Sequence, residues 1–369
     1  MIKPLSAIEA VTPAIEQAKQ QLFKPFRFWH WARLAFIVLV TWDFAGGGGG
    51  GNFQIPSIPL GDGKRKEDFA FFAAPDFSWS RLSEYLPWII LGVGILIAFV
   101  LVFMFIACVF RFILFEAVLH NQCEIRAGWK RYQEQGYSFF LWSVCLGFSV
   151  LLAIGIFIGG PVFMAWQAGI FDAPKEHLLL LILGGVTLFF LMLGLFVVGA
   201  IIGLLVKDFA IPIMALENVG IRDALRRMRP MLAGAKLSFA GYVGMKIVLA
   251  LGSGILFGII TLVAMLILMI PMGIVGVGIY LLVVSLGLTW NVLTLIAATL
   301  LAIVAVHIFL AVMAFISVPP LVFFQSYVLH FFGSRYPVLG EKVFPPAPPP
   351  PLPPEISPIA PGPEPAPAA

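Results

Sequence analysis

The stretch LPWIILGVGILIAFVLVFMFIACVF, residues 86–110, contains 25 residues without a charge. About 20 apolar residues of helix cross a bilayer core of about 30 Å, because lipid cannot hydrogen-bond to an exposed backbone. The stretch therefore predicts a transmembrane helix. Further spans are predicted at 138–163, 178–206, 238–268 and 290–318, with a weaker one at 29–45.

The composition extends this prediction to the whole chain. Hydrophobic residues make up 60% of the 369 residues and charged residues 11%, against about 45–50% and about 25% in an ordinary globular protein. This balance excludes a large soluble protein. The net charge of +4 is spread over short loops, which argues against nucleic-acid binding. We predict an all-α, polytopic transmembrane helical bundle with about six spans.

Three regions follow from the composition along the chain. Residues 1–28 predict a cytoplasmic amphipathic segment, 29–336 the transmembrane domain, and 337–369 a disordered Pro-rich tail with 13 prolines from Phe344 onward. Within the transmembrane domain, residues 46–85 begin with six glycines and predict a flexible outer loop. Residues 271–288 are uncharged but contain Pro271 and four glycines, so they predict either a re-entrant hairpin or an additional short helix.

Lysine and arginine predict the orientation, since basic residues near helix ends are retained in the cytoplasm. Fifteen of them lie in the segments 1–33, 111–137 and 207–236, whereas five lie in the alternate segments 46–85 and 161–177. The N-terminus is therefore predicted to be cytoplasmic. Six spans would place the tail on the same side, and a seventh at 271–288 would place it outside.

An internal repeat appears when the chain is shifted by 96 residues. FRFILFEAVLHNQCEIRAGWKR (110–131) then aligns with VKDFAIPIMALENVGIRDALRR (206–227). Each copy predicts a basic amphipathic helix followed by a transmembrane hairpin. In the second copy Arg222, Arg226 and Arg229 share the polar face, so they are candidates for contact with lipid headgroups. A plain basic connector is the alternative.

These segments also carry a resemblance. DFAIPIMALENVGIRDALRR (208–227) and LFKPFRFWHWARLAF (22–36) resemble a broad group of bacterial integral membrane proteins, which are similar to the membrane domain of glycerophosphoryl diester phosphodiesterases. The resemblance covers most of residues 8–336 and implies a bacterial inner-membrane location. This chain has no room for the soluble catalytic domain, so phosphodiester hydrolysis is not implied.

Ionisable residues within spans are the natural candidates for function, because a charge in hydrocarbon is costly unless it is paired or hydrated. They are Lys246, His307 and Asp43. Lys246 is expected to extend to the cytoplasmic interface in preference to a buried ion pair. His307 is expected to hydrogen-bond to a neighbouring helix. Asp208 and Glu116 are interpreted as boundary residues near the cytoplasmic ends of the spans, where they could cap a helix or pair with Lys207 and Arg111.

No catalytic, metal or cofactor motif is recognised in the sequence, so neither an enzyme nor a cofactor is predicted. The leading hypothesis is a non-enzymatic scaffold or accessory protein of the bacterial inner membrane. It would contact membrane lipid and could bind a protein partner through the P-x-x-P spacings of its tail. The alternative is a transporter or lipid-handling protein with a pathway lined by Lys246 and His307.

Overall fold

The computed structural model describes residues 4–41, 79–171, 177–285 and 292–344, with Lys175 and Gly287. These residues form an all-α fold without a strand, as predicted. The α-helices are α1 (Val11–Phe23), α2 (Phe28–Thr41), α3 (Trp79–His120), α4 (Ile125–Ile154), α5 (Gly160–Gln167), α6 (Leu178–Leu205), α7 (Ile211–Glu217), α8 (Ile221–Gly234), α9 (Lys236–Ser285), α10 (Val292–Gly333) and α11 (Pro337–Val343). Two π-helical turns, Gly155–Gly159 and Val206–Ala210, connect α4 to α5 and α6 to α7.

Within the described residues, five helical stretches are long and apolar enough to cross a membrane. They are Tyr85–His120, Ile125–Gln167, Leu178–Glu217, Lys236–Ser285 and Thr294–Gly333. The most apolar 18 residues of each stretch are almost entirely exposed: 6% of them are buried in Leu178–Glu217 and 0% in each of the other four stretches. Such large apolar surfaces are stable in lipid and not in water. The chain is therefore a membrane-embedded, multi-pass protein.

The sixth predicted span differs from the other five. The described part of 29–45 is α2, whose 14 residues extend about 21 Å, less than the bilayer core. Leu34, Ile37 and Val38 are fully buried in it, because α2 packs against α3 and α10. The remaining residues of this predicted span, from position 42 on, lie outside the described residues.

The buried core lies at one end of the long helices. We call this buried assembly the head; it comprises residues 5–41, 105–140, 204–246 and 314–343. The basic segments of the sequence fall within the head, whereas the exposed apolar stretches project from it. The helices are therefore joined where they leave the apolar region, and not along their full length.

Both ends of the described chain belong to the head. The Leu5 N–H donates to Ser334 Oγ at 3.1 Å, and the Tyr327 hydroxyl donates to the Ala7 carbonyl at 3.0 Å. α9 leaves the head and α10 returns to it. The start of the tail therefore lies on the same side as the N-terminal helix.

Two predictions about segments are wrong in part. The possible re-entrant hairpin or separate helix at 271–288 is absent from its described residues, because α9 continues through Pro271 to Ser285. The predicted disordered tail begins with an ordered helix, α11. Pro337 is suited to the first position of a helix, and Leu339 is fully buried against Gly333 of α10.

The aligned segments of the repeat adopt the same order of elements. In each, a long helix ends at an asparagine with positive φ, 54° at Asn121 and 55° at Asn218, a conformation that asparagine tolerates. The next helix then begins with Ile-Arg, at Ile125 or Ile221. The copies differ afterwards, because α4 continues directly into its span, whereas Ala235 separates α8 from α9.

Glycines bring α3 and α4 together within the head. A Cβ on Gly136 would lie 2.5 Å from Val109 Cγ2, and one on Gly128 would lie 2.9 Å from Ile113 Cγ1. Both distances are too short for any residue but glycine. The two helices therefore approach closely on the face that carries these glycines.

Candidate functional site

Lys246 of α9 and Asp208 of the second π-helical turn form a buried ion pair. Their side chains are only 4% and 5% exposed. The Tyr242 hydroxyl donates to the same carboxylate oxygen of Asp208 at 2.8 Å. Tyr242 precedes Lys246 by four residues, so both side chains lie on one face of α9.

The local sequence explains why Asp208 lies in a π-helical turn. In a regular α-helix the ring of Pro212 would clash with the Asp208 carbonyl four residues earlier, and proline has no N–H to bond it. The backbone widens over Val206–Ala210 instead. Such turns are frequent at functional sites.

An aromatic shell encloses the pair. Tyr242 stacks on Tyr327 with ring centroids 5.3 Å apart and planes 6° apart, and its centroid lies 4.6 Å from that of Phe331. Phe209, next to Asp208, contacts Phe239 and Tyr242, with centroids 5.1 Å apart in each case. Tyr242, Tyr327, Phe209 and Phe331 are fully buried. These rings exclude water from the ion pair.

The chemistry of this cluster follows from its composition. One ammonium, one carboxylate and one phenol satisfy each other, and their charges cancel. A buried charge pair of this kind is costly to break, because each partner would leave the other unpaired in a low-dielectric interior. The cluster therefore joins the second π-helical turn to α9 and, through the stacked Tyr327, to α10.

A comparison with protein-family models finds a match over residues 5–341, to a family of unknown function, DUF7544. The chain belongs to this family. The match includes all of the head except its last two residues, together with the ion pair and the five long helices. No curated protein and no solved structure matches the chain. The resemblance to the membrane domain of glycerophosphoryl diester phosphodiesterases stays a prediction.

The expected environment of Lys246 is wrong. Its ammonium does not extend to an interface but pairs with Asp208, and the residue is 3% exposed. The prediction that Asp208 is a boundary residue is also wrong, because its carboxylate accepts hydrogen bonds from Lys246 and Tyr242 inside the head. These partners are 38 and 34 residues away along the chain, so the sequence around Asp208 contains no sign of the pairing. The Tyr-x-x-x-Lys spacing in an apolar helix indicates a polar cluster on α9 but does not identify Asp208 as its partner.

His307 is not brought together with Lys246. It lies on an exposed part of α10, and its Nδ1 is 2.7 Å from the Ile303 carbonyl of the same helix. The expected hydrogen bond to a neighbouring helix is therefore wrong, because a carbonyl four residues earlier is within reach. The third candidate, Asp43, lies outside the described residues.

The basic face of α8 has the predicted amphipathic arrangement. Arg222, Arg226 and Arg229 are exposed, whereas Ile221, Ala224 and Met228 are buried in the head. α4 anchors the start of α8, since the Ile221 N–H donates to Ser138 Oγ at 3.1 Å. The arginines are thus directed away from the protein core. Contact with lipid headgroups stays a prediction.

Two further ion pairs among the described residues of the head are not predicted by the sequence. Glu116 pairs with Arg131 of α4, not with Arg111 as expected. Glu217 pairs with Arg227 and also accepts the Tyr336 hydroxyl, so it joins α7 and α8 to the residue before α11. Both pairs depend on how the helices meet, which the sequence does not show.

Proposed function

We propose that this protein is a non-enzymatic scaffold or accessory protein of the bacterial inner membrane, with its head and N-terminus in the cytoplasm. One observation carries the proposal: Lys246, which a transport pathway would need as a lining group, is sealed in an ion pair. A group that binds and releases a substrate or proton needs access to water, and this side chain is 4% exposed. His307 lies apart from it on the surface of α10.

The head supports a structural role. It joins both ends of the described chain and the ends of the long helices into one packed unit, which contains the buried ion pair of Lys246 and Asp208 and its aromatic shell. The apolar surfaces that project from it are available to lipid or to another membrane protein. An arrangement that holds helices at fixed positions suits a scaffold.

The function is tested by isolating the chain from native membranes in mild detergent. We expect the same membrane protein to co-purify at a constant ratio. Gly136→Leu should abolish this co-purification, because a side chain there must separate α3 from α4. Gly147→Leu is the matched control, since a Cβ at Gly147 meets open space.

Two results would contradict a scaffold. One is repeated recovery of the wild-type chain without any partner. The other is substrate-dependent flux in proteoliposomes that His307→Ala abolishes, which would favour the transporter hypothesis. Deleting residues 345–369 tests the tail separately, because a partner held by the P-x-x-P spacings would be lost with it.

The orientation requires its own test with engineered cysteines. The native Cys123 is unsuitable because it is 3% exposed. Gln133 of α4 and Lys175 are exposed and lie on opposite sides in the predicted topology. In intact cells an impermeant maleimide should label Lys175→Cys but not Gln133→Cys. The reverse pattern would place the head outside.

A further inference from the structure

A cavity of about 170 Å³ lies between α3, α4 and the end of α6. Its polar lining consists of Arg111, Lys207 and Ser143. The remaining walls are apolar, with Phe139 and Trp142 on α4 and glycine, alanine and leucine on α6. Pockets that hold drug-sized ligands have volumes of about 300–1,000 Å³, so this smaller cavity suits a small chemical group. Two cations without a lining carboxylate favour an anion.

The two cations occupy equivalent positions in the internal repeat. The shift of 96 residues that aligns the copies places Arg111 on Lys207. Each residue follows directly after an uncharged stretch, 86–110 or 178–206. Both therefore lie at the level where the apolar part of a span ends, which is the level of lipid phosphates. The fold brings these equivalent cations to one cavity.

The Arg111 guanidinium is available to a ligand. Its Nε is buried and has no hydrogen-bond partner among the described residues, and Arg111 takes part in no ion pair of the described chain. The nearest acids in sequence are engaged elsewhere, Glu116 with Arg131 and Asp208 with Lys246. A buried polar group without a partner is costly, and a bound anion would remove this cost.

We infer that this cavity binds the phosphate group of an anionic phospholipid. The guanidinium of Arg111 suits a phosphate through paired N–H donors, and Lys207 adds a point charge. Basic pockets between transmembrane helices bind anionic headgroups, and the apolar walls suit the glycerol and the start of the acyl chains. Free phosphate shares the chemistry but would leave these walls uncovered. The inference does not rest on the proposed function.

The test measures lipid binding to the delipidated full chain by native mass spectrometry. We expect phosphatidylglycerol to bind the wild type at least about tenfold more tightly than zwitterionic phosphatidylcholine. Arg111→Gln should weaken phosphatidylglycerol binding by at least about tenfold and leave phosphatidylcholine binding unchanged. Arg126→Gln is the matched control: it removes a cation exposed on α4 and should change the affinity less than about threefold.

Several outcomes would overturn the inference. Equal binding of the two lipids by the wild type would do so, as would an unchanged phosphatidylglycerol affinity in Arg111→Gln. Inorganic phosphate is the third probe. If it binds in an Arg111-dependent manner while phosphatidylglycerol does not, the ligand is free phosphate and the lipid assignment is wrong.

Folding of the Arg111→Gln variant is checked by thermal unfolding in phosphatidylcholine micelles. Its unfolding temperature should match that of the wild type, because no ion pair within the protein is lost. If this variant does not fold, Arg111→Lys is tested instead. Lysine keeps the charge without the paired donors, so a phosphatidylglycerol affinity at least about threefold weaker supports the site. An unchanged affinity in Arg111→Lys would overturn it.

Discussion

Asp208→Asn should destabilise the head by about 3–5 kcal/mol, because it leaves the Lys246 ammonium buried without its counter-charge. The side chains of the pair are 4% and 5% exposed, so water cannot compensate for the loss. Lys246→Met should lower the free energy of unfolding by a similar amount, since it leaves the Asp208 carboxylate buried without its counter-charge. Tyr242 keeps its acceptor in both variants.

The double variant shows whether Lys246 and Asp208 stabilise the fold as an ion pair or through two independent effects. With Lys246→Met and Asp208→Asn combined, no charge is left unpaired, and the free energy of unfolding should return to within about 1–2 kcal/mol of the wild type. The coupling energy from the cycle should therefore be about 3 kcal/mol or more. The exposed pair of Arg131 and Glu116 is the control. The Arg131 side chain is 60% exposed, so Arg131→Met should cost less than about 1 kcal/mol.

The assay is reversible unfolding in mixed micelles by titration with a denaturing detergent, followed by the fluorescence of the nine tryptophans. All four variants are compared at one pH and one lipid composition. If both single variants of the buried pair unfold within about 1 kcal/mol of the wild type, the pair is hydrated and the sealed packing of Lys246 is refuted. Without that packing, the main argument against a transport pathway would fail.

Three further predictions concern the packing of α3 and α4 and the reactivity of the head. Gly136→Ala should lower the free energy of unfolding by about 1–3 kcal/mol, because the added methyl group meets Val109. Gly147→Ala should raise it by up to about 1 kcal/mol, because alanine has the higher helix propensity. Equal effects of the two variants in the same unfolding assay would argue against the close contact of α3 and α4. Burial raises the pKa of the Cys123 thiol to about 11. At pH 7 this thiol should therefore react with a maleimide about 100-fold more slowly in the folded protein than in the denatured chain. Equal rates would show that the thiol is open to solvent. Ser138→Ala removes the side-chain acceptor of the Ile221 N–H at the start of α8. This variant should lower the free energy of unfolding, measured by detergent titration, by about 1 kcal/mol. No change would show that water replaces this hydrogen bond.

The sequence by itself determined the membrane class and most of the helices. Uncharged stretches of more than 20 residues are helical in lipid whatever their neighbours, since each backbone group must be bonded within its own segment. The face of α8 was equally predictable, because Arg222, Arg226 and Arg229 recur at helical spacing. These features depend on local composition and periodicity alone.

The tertiary structure decided where the charges go. Whether Lys246 reaches an interface or pairs with Asp208 depends on how α9 packs against the second π-helical turn, and no local pattern encodes that contact. The same holds for the tail, since Leu339 is buried only where α11 packs against the end of α10. Arg111 and Lys207 are readable as repeat equivalents, but only packing brings them to one cavity. Long-range electrostatic and steric contacts depend on the relative positions of helices, which periodicity cannot specify.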